Sequence, residues 1–103
     1  MNENWLIGFI EAECSFTRGS TTRRYKDKLY KYKYPSFKVT QTEAVEILKY
    51  LKNFFGVGSI QGNKEYVVNG RKGCIIIANF LQGKLIIKKR QKQFENWRKQ
   101  FKL

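Results

Sequence analysis

The sequence predicts an α+β fold with element order α-β-β-α-β-β-α, and three observations carry that prediction. Apolar residues recur with helical spacing near the start, in the middle and at the end of the chain. Two intervening stretches, around 14–41 and 56–69, change to alternating side chains bounded by polar or glycine-containing turns, as antiparallel hairpins do. At 103 residues the chain makes a single small domain, 1–103, with a modest core.

The first helix runs from Trp5 to Glu13, with Asn4 as its expected N-cap. Trp5, Leu6, Ile7, Phe9 and Ile10 spread apolar surface around most of its circumference, more than the one stripe a surface helix buries. Gly8 and Ala12 stand four apart on one face and admit a second helix backbone at close range. No other segment is an obvious partner, so the expected one is a second copy packed across a two-fold axis, with Ile7, Gly8 and Ala12 at the interface. Such packing brings two Glu13 carboxylates together at helix C-termini that already carry partial negative charge. Like charges so placed repel unless cations lie between them, a need that divalent ions meet.

Beyond this helix a short strand from Cys14 to Arg18 turns Phe16 inward and Thr17 outward, and a polar stretch follows from Gly19 to Lys28. The second strand, Leu29 to Gln41, ends in clean alternation, with Phe37 and Val39 on one face and Ser36, Lys38 and Thr40 on the other. From Arg18 to Lys38 there are eight basic residues against Asp27 alone, interleaved with Tyr25, Tyr30, Tyr32 and Tyr34. A twisted hairpin with one core face and one basic, hydroxyl-rich face has the dimensions and donors to lie in a DNA major groove. A solvated sheet face is the bland alternative.

Ala44, Ile47, Leu48, Leu51, Phe54 and Phe55 mark the second helix, started by Thr40 or Thr42 with Glu43 in the first turn and stopped at Gly56. Its stripe is expected to form most of the core. A second hairpin follows, turning near Gly62, Asn63 and Lys64 and returning from Glu65 to Asn69. Val57 and Ile60 cannot both face inward under strict alternation, so Gly58 must host a bulge or the strand must start late. Residues 74–81 satisfy strand and helix patterns alike. Phe94, Trp97 and Phe101 define a last amphipathic helix, about Lys88 to Phe101, in a segment with eight basic residues after Leu81 against Glu95 alone. Lys88, Lys89, Arg90 and Lys92 crowd its positive end, where they gain most by facing phosphate.

Lysine and arginine outnumber aspartate and glutamate 21 to 8, for a net charge of +13, so a polyanion is the leading partner. A membrane is not expected, because no apolar run spans a bilayer and no lipidation motif is present. No targeting signal is expected before the first helix, which places the protein in the compartment of its synthesis. The abundance of lysine, asparagine, isoleucine, tyrosine and phenylalanine points to an AT-rich coding sequence of an organelle, phage or low-GC bacterium. Cys14 and Cys74 are the two cysteines and histidine is absent, which excludes a cysteine–histidine zinc site and nucleophilic triads that use histidine as base.

The run Leu6-Ile7-Gly8-Phe9-Ile10-Glu11-Ala12-Glu13-Cys14 resembles the LAGLIDADG motif of homing endonucleases and intron maturases, departing from it at Ile7, usually small, and Cys14, usually glycine. Phe37-Lys38-Val39-Thr40-Gln41, Gly56-Val57-Gly58-Ser59-Ile60 and Lys84-Leu85-Ile86-Ile87-Lys88-Lys89 also resemble stretches of single-motif, homodimeric members, in the same order. The resemblance implies an antiparallel saddle-shaped sheet and a helix over 74–81. It implies that Glu13 binds catalytic Mg²⁺ or another divalent cation, that the Cys14 carbonyl assists, and that Gln41 and Lys88 lie near the scissile phosphates. Glu11 is expected to hydrogen-bond the partner helix. A basic residue that some relatives place in the second helix is Val45 here.

The function implied is metal-assisted hydrolysis of both strands of a roughly palindromic DNA site on the order of 20 base pairs, read by a homodimer. Within that expectation, parity selects Thr17, Ser36, Lys38 and Thr40 on the first hairpin and Ser59, Gln61 and Asn63 on the second as base readers. Lys26, Lys28, Arg71, Lys72 and Lys89 are the expected phosphate contacts. The alternative on the same fold is a catalytically inactive RNA maturase that binds intron RNA, or a DNA-binding protein, in which Glu13 is structural. A generic basic interaction module leaves the helix motif unexplained.

Overall fold

The structure, a computed structural model, describes residues 2–103. Its elements are α1 (Glu3–Glu13), β1 (Cys14–Tyr25), β2 (Lys28–Thr40), α2 (Val45–Phe55), β3 (Ser59–Gln61), β4 (Glu65–Asn69), α3 (Arg71–Leu81) and α4 (Lys88–Phe101). The α+β class and the order of elements match the expectation, with the final α resolved into two helices. The strands form one antiparallel sheet in the order β1-β2-β4-β3. No described helix is long and apolar enough to cross a membrane.

Helix α1 begins earlier than expected. Asn2, not Asn4, is the N-cap: its Oδ1 accepts the Trp5 N–H at 2.8 Å, so the cap is set by a bond to the third helical residue. At the other end there is no loop. Cys14 is both C-cap and first residue of β1, with extended φ −86° and ψ 161°, and its N–H still reaches the Ile10 carbonyl. This backbone accepts any L-residue, so a side chain at position 14 imposes no strain.

The largest departure is the first hairpin. Instead of a strand ending at Arg18 and a polar stretch, β1 continues to Tyr25 and pairs without interruption with β2, from Cys14 opposite Val39 to Tyr25 opposite Lys28. Lys26 and Asp27 both have positive φ, 49° and 62°, in a two-residue turn whose twist matches that of the strands. Residues 20–33 are exposed throughout, so this arm carries no apolar alternation by which a strand is ordinarily recognised. Its cross-strand pairs are Thr21 with Tyr32 and basic residues opposite tyrosine, threonine and leucine, as in Arg23 opposite Tyr30, Thr22 opposite Lys31 and Arg24 opposite Leu29.

Helix α2 is not capped by Thr40 or Thr42. Thr40 ends β2, Ala44 takes the cap position without a side-chain bond, and the Gln41 Oε1 accepts the Glu43 N–H at 3.0 Å. Gly56 stops the helix in the left-handed conformation, φ 71°, as expected. Strand β3 starts late, at Ser59, which resolves the conflict between Val57 and Ile60, both half-buried. Gly58 has φ 91° and lies where a Cβ would meet the Val67 carbonyl at 2.7 Å, so glycine is required there on two counts.

All four helices pack on one face of the sheet. Phe37 and Val39 of β2 and Tyr66 and Val68 of β4 meet Leu6 and Ile10 from α1, Leu48, Leu51 and Phe55 from α2, Cys74, Ile77, Ala78 and Leu81 from α3, and Phe94 and Trp97 from α4. The core is thus shared, with α3 contributing as much as α2, against the expectation that α2 forms most of it. Phe54 remains largely exposed, edge-on to Phe55 and Phe80. The Tyr66 hydroxyl donates to the Val57 carbonyl at 2.6 Å, which closes the otherwise costly polar end of a buried ring.

Both cysteines are free and buried. Burial pushes the Cys14 thiol up to about 11 and the Cys74 thiol up to about 12, and raises the Tyr66 phenol well above the ordinary tyrosine value. The folded state therefore retains protons that the unfolded chain releases once pH passes about 9. Stability should be insensitive to these groups at pH 7 and fall as pH rises from about 9 to 11, and Cys74→Ala should flatten that decline in urea titrations across the range.

Candidate active site and nucleic-acid interface

Three expected residues come to one end of the sheet. Glu13 is the last residue of α1 and exposed. Gln41 follows the end of β2; because Cys14 pairs with Val39, the chain leaving β2 runs past the end of α1. Lys88 opens α4, which is tied to α1 by side chains from both helices. Among the described residues no hydrogen bond joins Glu13, Gln41 and Lys88 directly. Gln41 has its Oε1 on the Glu43 N–H and its own N–H on the Lys64 carbonyl at 2.8 Å, which leaves its amide NH₂ free to donate.

Glu11 corrects the expectation that it meets a partner helix. It is 3% exposed, and its Oε2 accepts the N–H groups of Ile86 and Ile87, each at 2.7 Å. These amides lie just before α4, whose cap residue Ile87 supplies no capping side chain. A buried carboxylate from α1 thus caps α4 and meets the positive end of its dipole. Arg90 also differs from expectation. It turns from the solvent onto the end of α1, with Nε 2.8 Å from the Glu11 carbonyl and Nη2 3.4 Å from the Ala12 carbonyl, while Lys88, Lys89 and Lys92 stay exposed.

The Cys14 thiol points into the core, and burial, countered in part by Arg90, keeps it protonated at neutral pH. What remains available at this end is the Glu13 carboxylate and the Cys14 main-chain carbonyl, hard oxygen donors of the kind Mg²⁺ takes. No group of three acidic, cysteine or histidine side chains occurs among the described residues. The donor set of one chain fits a divalent ion only with further oxygens from a second copy, water or phosphate.

The neighbouring face of α1 is open. Gly8 and Ala12 are exposed, and nothing lies within 4 Å of a Cβ built at Gly8. Ile7 is half-buried beside Gly8 in a shallow depression completed by Asn4, Lys84 and Ile86. Ile86 is 82% exposed, and Trp5, 44% exposed, stacks on Phe9.

The sheet face turned away from the helices holds the residues expected as readers, with further polar and aromatic side chains beside them. Thr17, Lys38, Thr40, Ser59 and Gln61 are on it by register, and Asn63 is in the β3–β4 turn with φ 54°. Ser36 is there by parity but is 2% exposed, with its hydroxyl donating to Asn69 Oδ1 at 2.7 Å, so it orients Asn69 and is not free to read a base. Arg71 is likewise engaged, its Nη1 2.5 Å from the Phe101 carbonyl, whereas Lys26 and Lys28 at the hairpin tip and Lys72 on α3 are exposed.

Extension of β1 past Arg18 adds Thr21 and Arg23 to this face, where they line an open cleft with Tyr32, Tyr34 and Asn69. The Arg23 guanidinium lies 6.0 Å from the centre of the Tyr32 ring. Opposite Tyr34 stands Gly19, and the tyrosine ring lies across it so closely that a Cβ would run into the ring. Thr21 and Arg23 continue the alternation of Ser15, Thr17 and Gly19 along the same strand. Gly19→Ala should expel the Tyr34 ring from its seat; NMR should show shifts concentrated at Tyr34 and Asn69, with thermal stability changed by less than about 1 kcal/mol because the ring end can swing into solvent.

Comparison with known proteins bears on this arrangement. The family model described as LAGLIDADG endonuclease matches residues 6–101. Among solved structures, the homing endonuclease I-TnaI superposes with a TM-score of 0.79 at 22% identity over 96% of this chain and 69% of its own. I-GzeII, a LAGLIDADG homing endonuclease in complex with its DNA target, gives 0.73 at 29% identity over 96% of this chain and 34% of its own. I-CpaMI, a LAGLIDADG meganuclease bound to uncleaved DNA, gives 0.76 at 24% identity over 96% and 35%. This chain therefore spans about a third of the length of these DNA-bound proteins. No curated protein matches the sequence significantly. A match across almost the whole chain, together with the shared fold, establishes that this protein belongs to the LAGLIDADG endonuclease family.

Proposed function

We propose that this protein is a site-specific DNA endonuclease that works as a homodimer and cuts both strands of a roughly palindromic site. The observation that carries the reading is the end of α1, where an exposed Glu13 follows a face left open by Gly8 and Ala12 and flanked by Ile86. Two copies joined through that face bury the apolar rim and bring one acid from each to the axis. The DNA-bound relatives, about three times as long, support the need for a second copy of a domain this size.

In this reading the open sheet face and the basic arm hold the duplex, with Thr17, Lys38, Thr40, Ser59, Gln61 and Asn63 toward base edges and Lys26, Lys28, Lys72 and Lys89 toward phosphates. Glu13 and the Cys14 carbonyl would hold a divalent ion such as Mg²⁺, which would supply Lewis-acid chemistry and activate water. Lys88 offers an ammonium to the negative charge that builds on the phosphoryl oxygens. Gln41, with its oxygen committed to Glu43, presents amide N–H donors. Water oxygen joins phosphorus and gives up a proton to solvent, the bond to the 3′-oxygen breaks, and that oxygen takes a proton from solvent to leave as the 3′-hydroxyl, with the phosphate kept on the 5′-oxygen.

The test incubates the protein with a library of AT-rich duplex targets and Mg²⁺ and maps breaks with 3′ overhangs. Cleavage is expected, and Glu13→Gln should lower its rate on the order of 10³-fold with target affinity retained. Tight, selective binding without any break would overturn the proposal in favour of the binding-only alternative. Gly8→Trp should block the close helix approach and give a monomer by light scattering, while Gly8→Ala should stabilise the free helix by up to about 1 kcal/mol. Affinity should fall steeply with salt, as expected where lysines and arginines displace phosphate counterions.

A further inference from the structure

We infer that Arg90 and Glu11 form a reciprocal clasp that sets the position of Lys88 against Glu13, which makes Arg90 a positioning residue for the active site. The inference rests on the function proposed above. Each helix hands a charged side chain to the unsatisfied end of the other. The Glu11 carboxylate accepts both amides that precede α4, and the Arg90 guanidinium donates to the carbonyls of Glu11 and Ala12, which lie among those left without partners at the end of α1. A third donor, Nη1, reaches Gln93 Oε1 at 2.9 Å and holds the fork in its plane.

The two turns joined in this way are those that carry the reacting groups. Glu13 follows Ala12, and Lys88 follows Ile87. The last turn of α1 contains no basic residue of its own, so Arg90 is the cation that answers the negative end of that helix dipole. Its side chain is half-buried and the Glu11 carboxylate is buried, so the short Nε bond to the Glu11 carbonyl is partly shielded from water, while the longer Nη2 bond to Ala12 is exposed. Lysine supplies charge but not the planar fork that spans two carbonyls and a side-chain amide.

Arg90→Gln and Arg90→Lys test this, by amide hydrogen exchange and by single-turnover cleavage in Mg²⁺, with target affinity measured in Ca²⁺. In Arg90→Gln, exchange at the Ile86 and Ile87 amides, which Arg90 does not itself touch, should rise about tenfold while the central amides Val39 and Val68 keep theirs. Cleavage should fall on the order of 10²-fold at nearly unchanged affinity, and Arg90→Lys should recover little of it. Unchanged exchange at residues 86 and 87, or full rescue by lysine, overturns the inference. Should the unmodified protein cut no target, the proposed function fails and the clasp is judged by exchange alone. If Arg90→Gln does not melt cooperatively, Glu11→Gln serves instead, with loss of protection at the Arg90 side-chain Nε–H as the expected result and its retention as the refutation.

Discussion

Everything at the candidate active site depends on the missing loop between α1 and β1. Cys14 completes the last helical bond to Ile10 and, in the same extended conformation, starts the ladder with Val39. The helix axis is therefore fixed to the sheet by one residue, and the buried thiol anchors that residue in the core. A flexible connection would allow α1 to pivot and Glu13 to wander. Here the acid can only project from the corner where the sheet begins. That constraint also explains why α1 buries only Leu6, Ile10 and Glu11, with Gly8, Ala12 and Trp5 left outside: the strand that follows decides which face looks inward.

The electrostatics of the corner are arranged by exchange between helices. A helix end needs partners for its free amides or carbonyls, and neither α1 at its C-terminus nor α4 at its N-terminus provides them locally. Glu11 and Arg90 each cross to the other helix, so desolvation of the buried carboxylate is offset by two short N–H bonds. The chain carries a charge of +13, yet the half-buried Arg90 is turned onto the end of α1 for this purpose. The remaining basic residues at the head of α4 stay solvent-facing, where phosphate would relieve their conflict with the helix dipole.

The sheet divides its labour by parity. Phe16, Phe37, Val39, Tyr66 and Val68 look toward the helices, and the opposite residues of the same strands form a polar face. On that face burial still occurs locally: Ser36, buried, donates to Asn69, Val67 is buried opposite Lys38, and Tyr34 is seated on Gly19. The face is thus partly organised in advance, and its side chains do not all move as independent solvated groups. Beyond residue 20 the hairpin leaves the helices behind and depends on cross-strand pairs and the Lys26-Asp27 turn.

By itself the sequence determined the α+β class, the hairpins, α4 to its limits, and the acid at the end of the first helix, because each is encoded by residues a few positions apart. Segment 74–81 was undecided by pattern, since a short apolar run fits either period, and packing made it the greater part of α3. Tertiary structure alone decided the length of the basic arm, whose strands bury nothing that alternation would reveal, and the use of Ser36, which reads as open by parity but is closed by Asn69. It also decided the roles of Glu11 and Arg90, whose bonds span more than seventy positions of chain. Local periodicity records how a segment meets its own neighbours, whereas a hydrogen-bond partner so distant exists only after the core has brought the two helix ends together.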